Sequence, residues 1–562
     1  MVHFSPVEGK VLSLPILEIP HLESHRSVAG EFFCASCDVN RENLELRCER
    51  AYWQKQHEKA CEREKQREEE ICQLKARIRQ LEKQVYGRRC EKSTSGSERS
   101  VAEDASDAKR RSRGHQRGAP GHGRRSYEQL PVEEELYELG EEAKRCPRCG
   151  RPVEEFPGTE DSEELEIEVK AYRRRIRRKR YRPTCRCNEL PGIITAPGPF
   201  KLIPKSTIGI SVWVMILLEK YLYQRPVARL LESLKGYGLD IPSGTVGDGL
   251  KRLHPLFLPV YQAIATRSRR ESWWHADETR WMVFQLPEGK LSYRWYLWVF
   301  VSHSVVLYIL DPRRSAEVLQ EHLGEVKEGI LCVDRYAAYK RFARTHRGIC
   351  LAFCWTHQRR DFLEVGNRWP ELEGWAQEWV QDIGTVFHLN RQRVSHPTSS
   401  AAFAQADEQL RKALRRMARG RERQLRQAGM DAECLAVLES MRKHWKGFQV
   451  FVDHPHIPPD NSEAERRLRA AAVGRKNYYG SGSLWSASLT ACLFSLFQTL
   501  LKWNINPRTW LQEYLTACAQ AGGVPKGLGA FLPWRMSEGR RTQMGLPRIR
   551  GEPSPCTPRG IA

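Results

Sequence analysis

The sequence lacks a long hydrophobic run. Its most apolar stretch, residues 208–218, ends at Glu219 and Lys220, well short of the roughly 20 residues needed to span a bilayer. The start of the chain also lacks the apolar core of a secretory signal, because polar or charged residues interrupt it at His3, Glu8, Lys10 and Glu18. We therefore expect no transmembrane helix, no membrane partner and a reducing compartment.

Acidic residues are scarce relative to basic ones. The 562 residues include 91 Lys and Arg against 69 Asp and Glu, which gives a formal net charge of +22 and a pI of about 9.4. A chain this basic favours polyanionic partners, nucleic acid first, although charge alone also fits an anionic membrane. The length predicts a multidomain protein, because one hydrophobic core does not grow to this size.

The 17 cysteines are expected to be metal ligands or buried thiols, because disulfides are rare in a reducing compartment. Near the N-terminus, Cys34-x2-Cys37 is followed by His57-x3-Cys61, a spacing that fits a zinc-binding segment over residues 1–62. Cys48 lies between the pairs and leaves the ligand set open. Incidental cysteines explain the same spacing equally well.

A short apolar seam follows, in a stretch rich in Glu, Lys, Arg and Gln. Its members recur at alternating steps of three and four residues, which predicts a coiled coil over residues 63–91: Ile71, Leu74, Ile78, Leu81 and Val85. The seam lasts only about two heptads, so a single amphipathic helix packed on its own protein is an equal alternative. Residues 92–140 have few large apolar side chains and predict a basic flexible linker.

A second cysteine-rich region predicts a zinc-finger domain over residues 141–195. Cys146 and Cys149 lie two residues apart on a turn that ends in glycine, so both thiolates can reach one tetrahedral zinc ion, and Cys185 with Cys187 can complete the set. Between the pairs, eight of the ten residues 173–182 are Arg or Lys. We interpret this block as strands that face DNA phosphate, with a solvated charged surface as the alternative; its candidate DNA contacts are Arg173, Arg174, Arg175, Arg177 and Arg178.

Residues 196–265 predict a helix-turn-helix. An apolar helical pattern from Pro226 is followed by Gly238 and then by a second helical pattern, with Ser243 as the expected N-cap and Ser243 and Thr245 as candidate DNA contacts. Because the second helix carries few basic residues, a purely structural helical hairpin remains an alternative.

The next region predicts strands and helices in the order βββαβαβ. Three strands rich in β-branched and aromatic residues begin at Trp273, and a fourth strand, residues 329–333, ends on Asp334. Asp277 lies in the first strand. This order is that of a ribonuclease H-like fold, in which the first and fourth strands are neighbours, so Asp277 and Asp334 are expected to lie together.

A third carboxylate is expected from a later helix that begins after Asp460 or Asn461. Glu465 is our candidate, with Glu463 two residues away as the alternative. The predicted catalytic domain comprises residues 270–365, a helical insertion at 366–455 and the glutamate helix at 456–502, followed by a C-terminal helix and tail at 503–562. Two divalent ions held by such carboxylates support in-line displacement at phosphorus, and an all-oxygen site suits Mg²⁺ or Mn²⁺.

Two further motifs flank the carboxylates. The first, Cys354-Trp-Thr-His357-Gln-Arg-Arg360, could bind a metal, although Cys-x2-His is more often packing plus a hydrogen-bonded imidazole. We interpret His357 and Arg360 as lining the substrate groove, and Arg475 and Lys476 of the second motif, Gly474-Arg-Lys-Asn477, as phosphate contacts.

Over nearly residues 70 to 520 the chain resembles the transposases of the insertion sequence sixty-six family, which are bacterial DDE enzymes. The motifs that carry the resemblance are Val85-Tyr-Gly-Arg-Arg, Gly118-Ala-Pro-Gly-His-Gly, Cys146-Pro-Arg-Cys149-Gly, Ala196-Pro, His275-Ala-Asp277-Glu-Thr, Val333-Asp334-Arg-Tyr-Ala-Ala-Tyr339, Cys354-Trp-Thr-His357-Gln-Arg-Arg, Asp460-Asn461 through Glu465-Arg466, and Gly474-Arg-Lys-Asn477. The family's glutamate directly precedes an arginine, which favours Glu465.

The resemblance implies recognition of terminal inverted repeats, assembly of several copies on paired element ends, metal-dependent strand cleavage and strand transfer, and small accessory proteins. It also implies a bacterial, nucleoid-associated cytoplasmic location. The spacing Cys185-x-Cys187 departs from the family's usual two-residue spacing, and the N-terminal cysteines have no family counterpart. Two rival functions remain: a DNA-binding regulator or inactive transposase remnant, and a nuclease that cuts without joining.

Overall fold

A computed structural model describes residues 35–86, 132–134, 144, 147–152, 169–182, 193–286 and 292–546. The chain divides into two units, residues 1–89 and 90–562. Helices and strands are numbered below in chain order, separately for each type.

In the first unit, one helix, α1 (Ala35–Tyr86), accounts for all the described residues. It runs through the predicted boundary between a zinc segment and a coiled coil, because its sequence holds no glycine or proline and is rich in good helix formers. The seam residues Ile71, Leu74 and Ile78 are about half exposed. The side chains of Leu81 and Val85 lie outside the described residues.

The second unit opens with a short antiparallel ladder and a group of helices. Its elements are β1 (Arg180–Tyr181), β2 (Ile194–Thr195), α2 (Ile210–Leu217), one π-helical turn (Leu218–Leu222), α3 (Val227–Gly236) and α4 (Ser243–Arg269). The expectation of strands across the basic block is wrong for residues 173–179, since only Arg180 and Tyr181 pair.

Within the region predicted as a helix-turn-helix, α3 and α4 follow α2 and the π-helical turn, and they are joined by a turn in which Gly238 takes a φ of +77°. Ser243 is not the N-cap of α4, which corrects that expectation. Pro242 occupies the cap position at φ −61° and ψ 141°, without a side-chain cap bond, and its fixed φ suits the entry into a helix. The second helix also continues to Arg269, through Pro255 and Pro259.

A five-stranded mixed sheet forms the centre of the second unit. Its strands are β3 (Trp273–Met282), β4 (Arg294–Ser302), β5 (Val306–Asp311), β6 (Gly329–Val333) and β7 (Ile349–Phe353), with α5 (Ala316–Leu323) and α6 (Ala337–Thr345) between the last three. The spatial order is β5-β4-β3-β6-β7. The first and fourth strands are parallel neighbours, as predicted, with His275 opposite Cys332.

Helices occupy most of the segment between β7 and the glutamate helix, as the sequence predicts. They are α7 (Trp355–Arg368), α8 (Glu373–Val394), α9 (Ala401–Leu425), α10 (Ala432–Phe448) and α11 (Val450–Asp453), with a 3₁₀ turn at Pro370–Leu372. Phe362 of α7 stacks on Trp379 of α8 with ring centroids 5.3 Å apart. Helix α10 returns to the sheet so closely that a Cβ on Gly447 would lie 2.4 Å from the Phe353 ring.

The final helices are α12 (Ser462–Tyr478), α13 (Leu484–Lys502), α14 (Pro507–Ala521) and α15 (Glu538–Gln543), with 3₁₀ turns at Leu528–Phe531 and Pro533–Arg535. Among the described helices, α13 alone is long and apolar enough to cross a membrane by length and composition, which corrects the expectation that no apolar run longer than residues 208–218 is present. It packs in the core, where Ser495 and Thr499 accept hydrogen bonds from the Tyr308 and Val306 amides of β5 at 2.8 and 3.1 Å. The edge of the sheet is thereby covered, which prevents it from pairing with another strand.

Candidate active site

Asp277 lies in β3, the central strand of the sheet, and is partly exposed. Its Oδ1 accepts a hydrogen bond from the Glu278 amide at 2.8 Å. Burial raises the pKa of Asp277 to about 7, and the nearby charges of Glu278, Asp334 and Glu465 add to the rise. Asp334 and Glu465 therefore lie close enough to Asp277 to oppose its ionisation.

Asp334 follows the last residue of β6, and its Oδ1 accepts a hydrogen bond from the Tyr336 amide at 2.9 Å. The register of the sheet explains its position beside Asp277. His275 and Cys332 are paired across β3 and β6, and each aspartate lies two residues beyond its member of that pair. Parallel neighbours thus present both carboxylates at the same end of the sheet.

Glu465 lies in the first turns of α12 and contributes the third carboxylate. Its Oε1 is buried and has no hydrogen-bond partner among the described residues. Glu463, the alternative, has its Oε1 bonded to Arg467 at 2.8 Å, and this ion pair occupies it. A buried carboxylate oxygen without a partner is costly, so Glu465 is the glutamate with a free ligand atom.

Asn461 fixes α12 against the sheet. Its Oδ1 lies 3.0 Å from Nδ1 of His275, and its Nδ2 donates to the Ala276 carbonyl at 2.8 Å. The residue is buried, and its side chain makes no cap bond to α12; Asp460 instead accepts from the Ser462 amide at 3.0 Å. The Asn461 contacts hold Glu465, one helical turn onward, near Asp277.

Glu278, next to Asp277 in the chain, is fully engaged elsewhere. Its carboxylate accepts from the Tyr339 hydroxyl at 2.5 Å and from Arg314 at 2.9 Å. Burial raises its pKa, and these two hydrogen bonds oppose the rise. The adjacent carboxylate is therefore a structural partner of α6 and of the loop before α5, and not a free ligand.

His357 and Cys354 border Glu465 from the start of α7. The His357 Nε2 lies 3.7 Å from the Glu465 Oε1, and burial lowers the pKa of this histidine. The Cys354 Sγ accepts a hydrogen bond from the Asn461 amide at 3.2 Å. One ligand atom from each of Cys354, His357 and Glu465 lies within 4.8 Å of the other two.

Comparison with known proteins gives the family. Residues 205–489, half of the chain, match the family described as "Transposase IS66 family". The chain belongs to the IS66 family of transposases. Membership supports a transposition function, with DNA as the partner and divalent metal as the cofactor.

Three uncharacterized proteins of Sinorhizobium fredii (strain NBRC 101917 / NGR234) are similar to this IS66-family chain. Protein y4jD is 28% identical over 411 residues, 70% of this chain and 78% of the relative. Protein y4hP is 25% identical over 411 residues, which cover 69% of this chain and 73% of the relative. Protein y4qI is 24% identical over 405 residues, which cover 67% of this chain and 71% of the relative. No solved structure matches the chain.

Several predicted zinc ligands of this IS66-family protein lie outside the described residues: Cys34, Cys146, Cys185 and Cys187. Cys149 lies within the described residues and is exposed. Cys37 and His57 lie in the same helix, α1, about 30 Å apart at about 1.5 Å per residue. This corrects the expectation that these two residues share one ion. His57 and Cys61 are neighbours, with Nδ1 and Sγ 3.3 Å apart.

The predicted DNA contacts are mostly accessible. All five arginines of the basic block are exposed, as are Ser243 and Thr245 at the start of α4, Arg360 on α7 and Lys476 on α12. Arg475 differs, because its Nη1 donates to the Thr279 hydroxyl at 3.1 Å and to the Arg280 carbonyl at 2.8 Å. Its guanidinium thus joins α12 to β3, a role that the sequence did not indicate.

Proposed function

We propose that this IS66-family protein is a DDE transposase that binds the terminal inverted repeats of an insertion sequence and catalyses DNA strand cleavage and strand transfer. The observation that carries the proposal is the convergence of Asp277, Asp334 and Glu465, which come from two neighbouring strands and a distant helix. The spatial strand order, with the first strand between the second and the fourth, supports a ribonuclease H-like catalytic domain.

The three carboxylates fit divalent metal ions. Asp277 is disfavoured as an anion by burial and by its acidic neighbours, and the Glu465 Oε1 is buried without a hydrogen-bond partner in the described part of the chain. A cation would relieve both conditions, and oxygen ligands suit Mg²⁺ or Mn²⁺. Two such ions, when bound, activate the attacking oxygen and stabilise the leaving oxygen at phosphorus.

The residues around the carboxylates would orient DNA for both reactions. Asn461 and Arg475 hold α12 on β3 and so fix Glu465 relative to Asp277. The exposed Arg360 and Lys476 would contact phosphate, and His357 would line the groove beside Glu465. The same site would serve cleavage and joining, because each is a displacement at phosphorus.

Recognition of the element ends would involve the parts of the chain before the sheet. The exposed basic block and the start of α4 are the proposed DNA contacts, and Cys146, Cys149, Cys185 and Cys187 the proposed zinc ligands. Assembly of several copies, with small accessory proteins, would bring two element ends together.

The test is incubation of purified protein with labelled element-end DNA and Mg²⁺. We expect cleavage that leaves a 3′-hydroxyl, followed by joined products. The variants Asp277→Asn, Asp334→Asn and Glu465→Gln should each lose both products by at least about 100-fold while they retain DNA binding. Glu463→Gln is the matched control, since Glu463 is paired with arginine, and it should remain active.

Three outcomes would contradict the proposal. Equal activity of the three variants and wild type would remove the carboxylates from the mechanism. Binding of wild-type protein without cleavage or joining, even with accessory proteins added, would favour a DNA-binding regulator or an inactive remnant. Cleavage without joining would favour a nuclease of the same fold.

A further inference from the structure

Cys354, His357 and Glu465 form a cluster with the chemistry of a zinc site. A thiol, an imidazole and a carboxylate are the three side-chain types that bind Zn²⁺. Their ligand atoms lie within 4.8 Å of one another. Bond lengths of about 2.0–2.3 Å in a tetrahedral zinc site place ligand atoms about 3.3–3.8 Å apart, so only a small contraction separates the cluster from a binding geometry.

Two backbone amides hold the start of α7 against the segment that precedes α12. The Trp355 amide donates to the Pro459 carbonyl at 3.0 Å, and the Asn461 amide donates to the Cys354 Sγ at 3.2 Å. Cys354 is buried at the N-cap of α7, and His357 is three residues onward. These bonds hold the start of α7 beside the start of α12, where the three side chains lie.

Two atoms of the cluster lack partners. The His357 Nδ1 and the Glu465 Oε1 are both buried without a hydrogen-bond partner in the described residues, and the His357 Nε2 faces that same oxygen at 3.7 Å. Buried polar atoms are usually satisfied. An ion binds only one nitrogen of an imidazole, so the atom that points to a cation is the unpartnered Glu465 Oε1, with the His357 Nε2 facing it.

We propose that Cys354, His357 and Glu465 bind a thiophilic divalent cation of the Zn²⁺ class, at a site separate from the Asp277 and Asp334 carboxylates but sharing Glu465 with them. Three protein ligands leave one tetrahedral position open. The inhibitory consequence rests on the proposed function: a Zn²⁺ ion held here engages Glu465 and competes with Mg²⁺ for it. Binding by the cluster does not depend on that function.

Cobalt binding tests the site directly, because Co²⁺ replaces Zn²⁺ and gives absorption bands that report a thiolate ligand. The full chain, freed of metal, is titrated with Co²⁺ alongside Cys354→Ser, His357→Ala and Cys350→Ser. Cys350 is an exposed cysteine on β7 outside the cluster and is the matched control. Other cysteines contribute the same background to every protein, so the difference spectra isolate the cluster.

We expect Cys354→Ser and His357→Ala to lose one equivalent of Co²⁺ with its thiolate band, or to bind it at least about 100-fold more weakly, the upper range for loss of even a supporting contact. Cys350→Ser should match wild type. Serine can still accept the Asn461 amide bond, and unchanged thermal unfolding of Cys354→Ser would exclude misfolding. If that variant is unstable, Cys354→Ala is measured in its place. Equal Co²⁺ stoichiometry and spectra in wild type and the folded Cys354 variant would overturn the proposal.

A second measurement tests the competition. Strand cleavage in Mg²⁺ is measured with increasing Zn²⁺, and each protein is compared with its own zinc-free rate. Wild type and Cys350→Ser should be inhibited, and Cys354→Ser should need at least about 10-fold more Zn²⁺ for the same inhibition. Equal inhibition of all three would overturn the shared-ligand part. Failure of the proposed function would appear as no cleavage in any protein, which leaves the Co²⁺ result interpretable.

Discussion

Asn461 connects the two parts of the candidate site through a single side chain. Burial lowers the pKa of His275 and so favours its neutral ring. Because the Asn461 Nδ2 is a donor to Ala276, the Asn461 Oδ1 faces His275 and accepts from its Nδ1–H. The Asn461 Nδ2 donates to the Ala276 carbonyl at the same time. Only an amide offers an acceptor and a donor on one planar group of this size, so Asn461 is specific to this position.

Asn461→Asp should therefore destabilise the protein and displace Glu465. The carboxylate cannot donate to the Ala276 carbonyl and places a charge in a buried position, so we expect the free energy of unfolding in urea to fall by about 1–3 kcal/mol. Strand cleavage should fall with it. Asp460→Asn, which keeps the oxygen that accepts from the Ser462 amide, is the control. Wild-type stability of Asn461→Asp would show that the two contacts contribute little.

The raised pKa of Asp277 predicts a pH dependence of stability in metal-free protein. The folded pKa is about 7 against an ordinary value of 3.8, so the stabilising contribution of this group is complete below about pH 4 and is lost as the pH rises through 7. In EDTA, the unfolding temperature of Asp277→Asn minus that of wild type should therefore increase from about pH 4 to about pH 8. A difference in unfolding temperature that stays constant over this range would contradict the raised pKa of Asp277. Asp311→Asn provides a control outside the carboxylate cluster.

Residue types at the site were predictable from sequence to different degrees. Asp277 and Asp334 could be placed together because strand periodicity gives the order of strands, and the order gives their neighbours. Glu465 needed the family resemblance to separate it from Glu463. Asn461 bonds to His275 and Ala276, which lie 186 and 185 positions away in the sequence. A local sequence pattern cannot predict contacts over such a separation.

At the scale of elements, one glycine allows α4 to approach α2 closely. A Cβ on Gly249 would lie 1.9 Å from the ring of Trp213, which is fully buried. The close approach explains why a residue of poor helix propensity lies in the interior of a 27-residue helix.

Gly249→Ala should lower the free energy of unfolding by about 1–3 kcal/mol, because the methyl group overpacks a filled core. Gly247→Ala, in the same helix with open space around its Cβ position, should be neutral or stabilising by up to about 1 kcal/mol. Both values are measured by urea denaturation. A Gly249→Ala variant as stable as Gly247→Ala would mean that Trp213 moves aside without cost.

Elements were more predictable than their ends. The strand at Gly329–Val333 has the predicted bounds, because a continuous apolar run defines it. The cap at Pro242, the extension of α4 to Arg269 and the π-helical turn were not predicted. For α4 the cause of the extension lies in tertiary packing, since its later residues contact other elements: His254 lies 2.9 Å from Ser488 of α13, and Tyr261 donates to the Tyr308 carbonyl of β5. Such packing overrides local cap signals and internal prolines.

At the scale of the whole molecule, the first unit has an apolar stripe on α1 whose side chains are about half exposed. Ile71, Leu74 and Ile78 are 50%, 57% and 54% exposed, and they recur at the spacing of a coiled-coil seam. A 52-residue helix that is polar on its other faces gains most of its stability from packing an apolar face. We therefore propose that copies of the chain would associate through this stripe.

Leu74→Glu should weaken that association, because like charges would face each other in the centre of the seam. We expect the mass measured by light scattering after size-exclusion chromatography to fall toward that of one chain at concentrations where wild type forms oligomers. Gln73→Glu adds the same charge at an exposed neighbouring position off the seam and should leave the mass unchanged. If Leu74→Glu keeps the wild-type mass, assembly occurs through the second unit, and the apolar stripe of α1 serves an intramolecular contact instead.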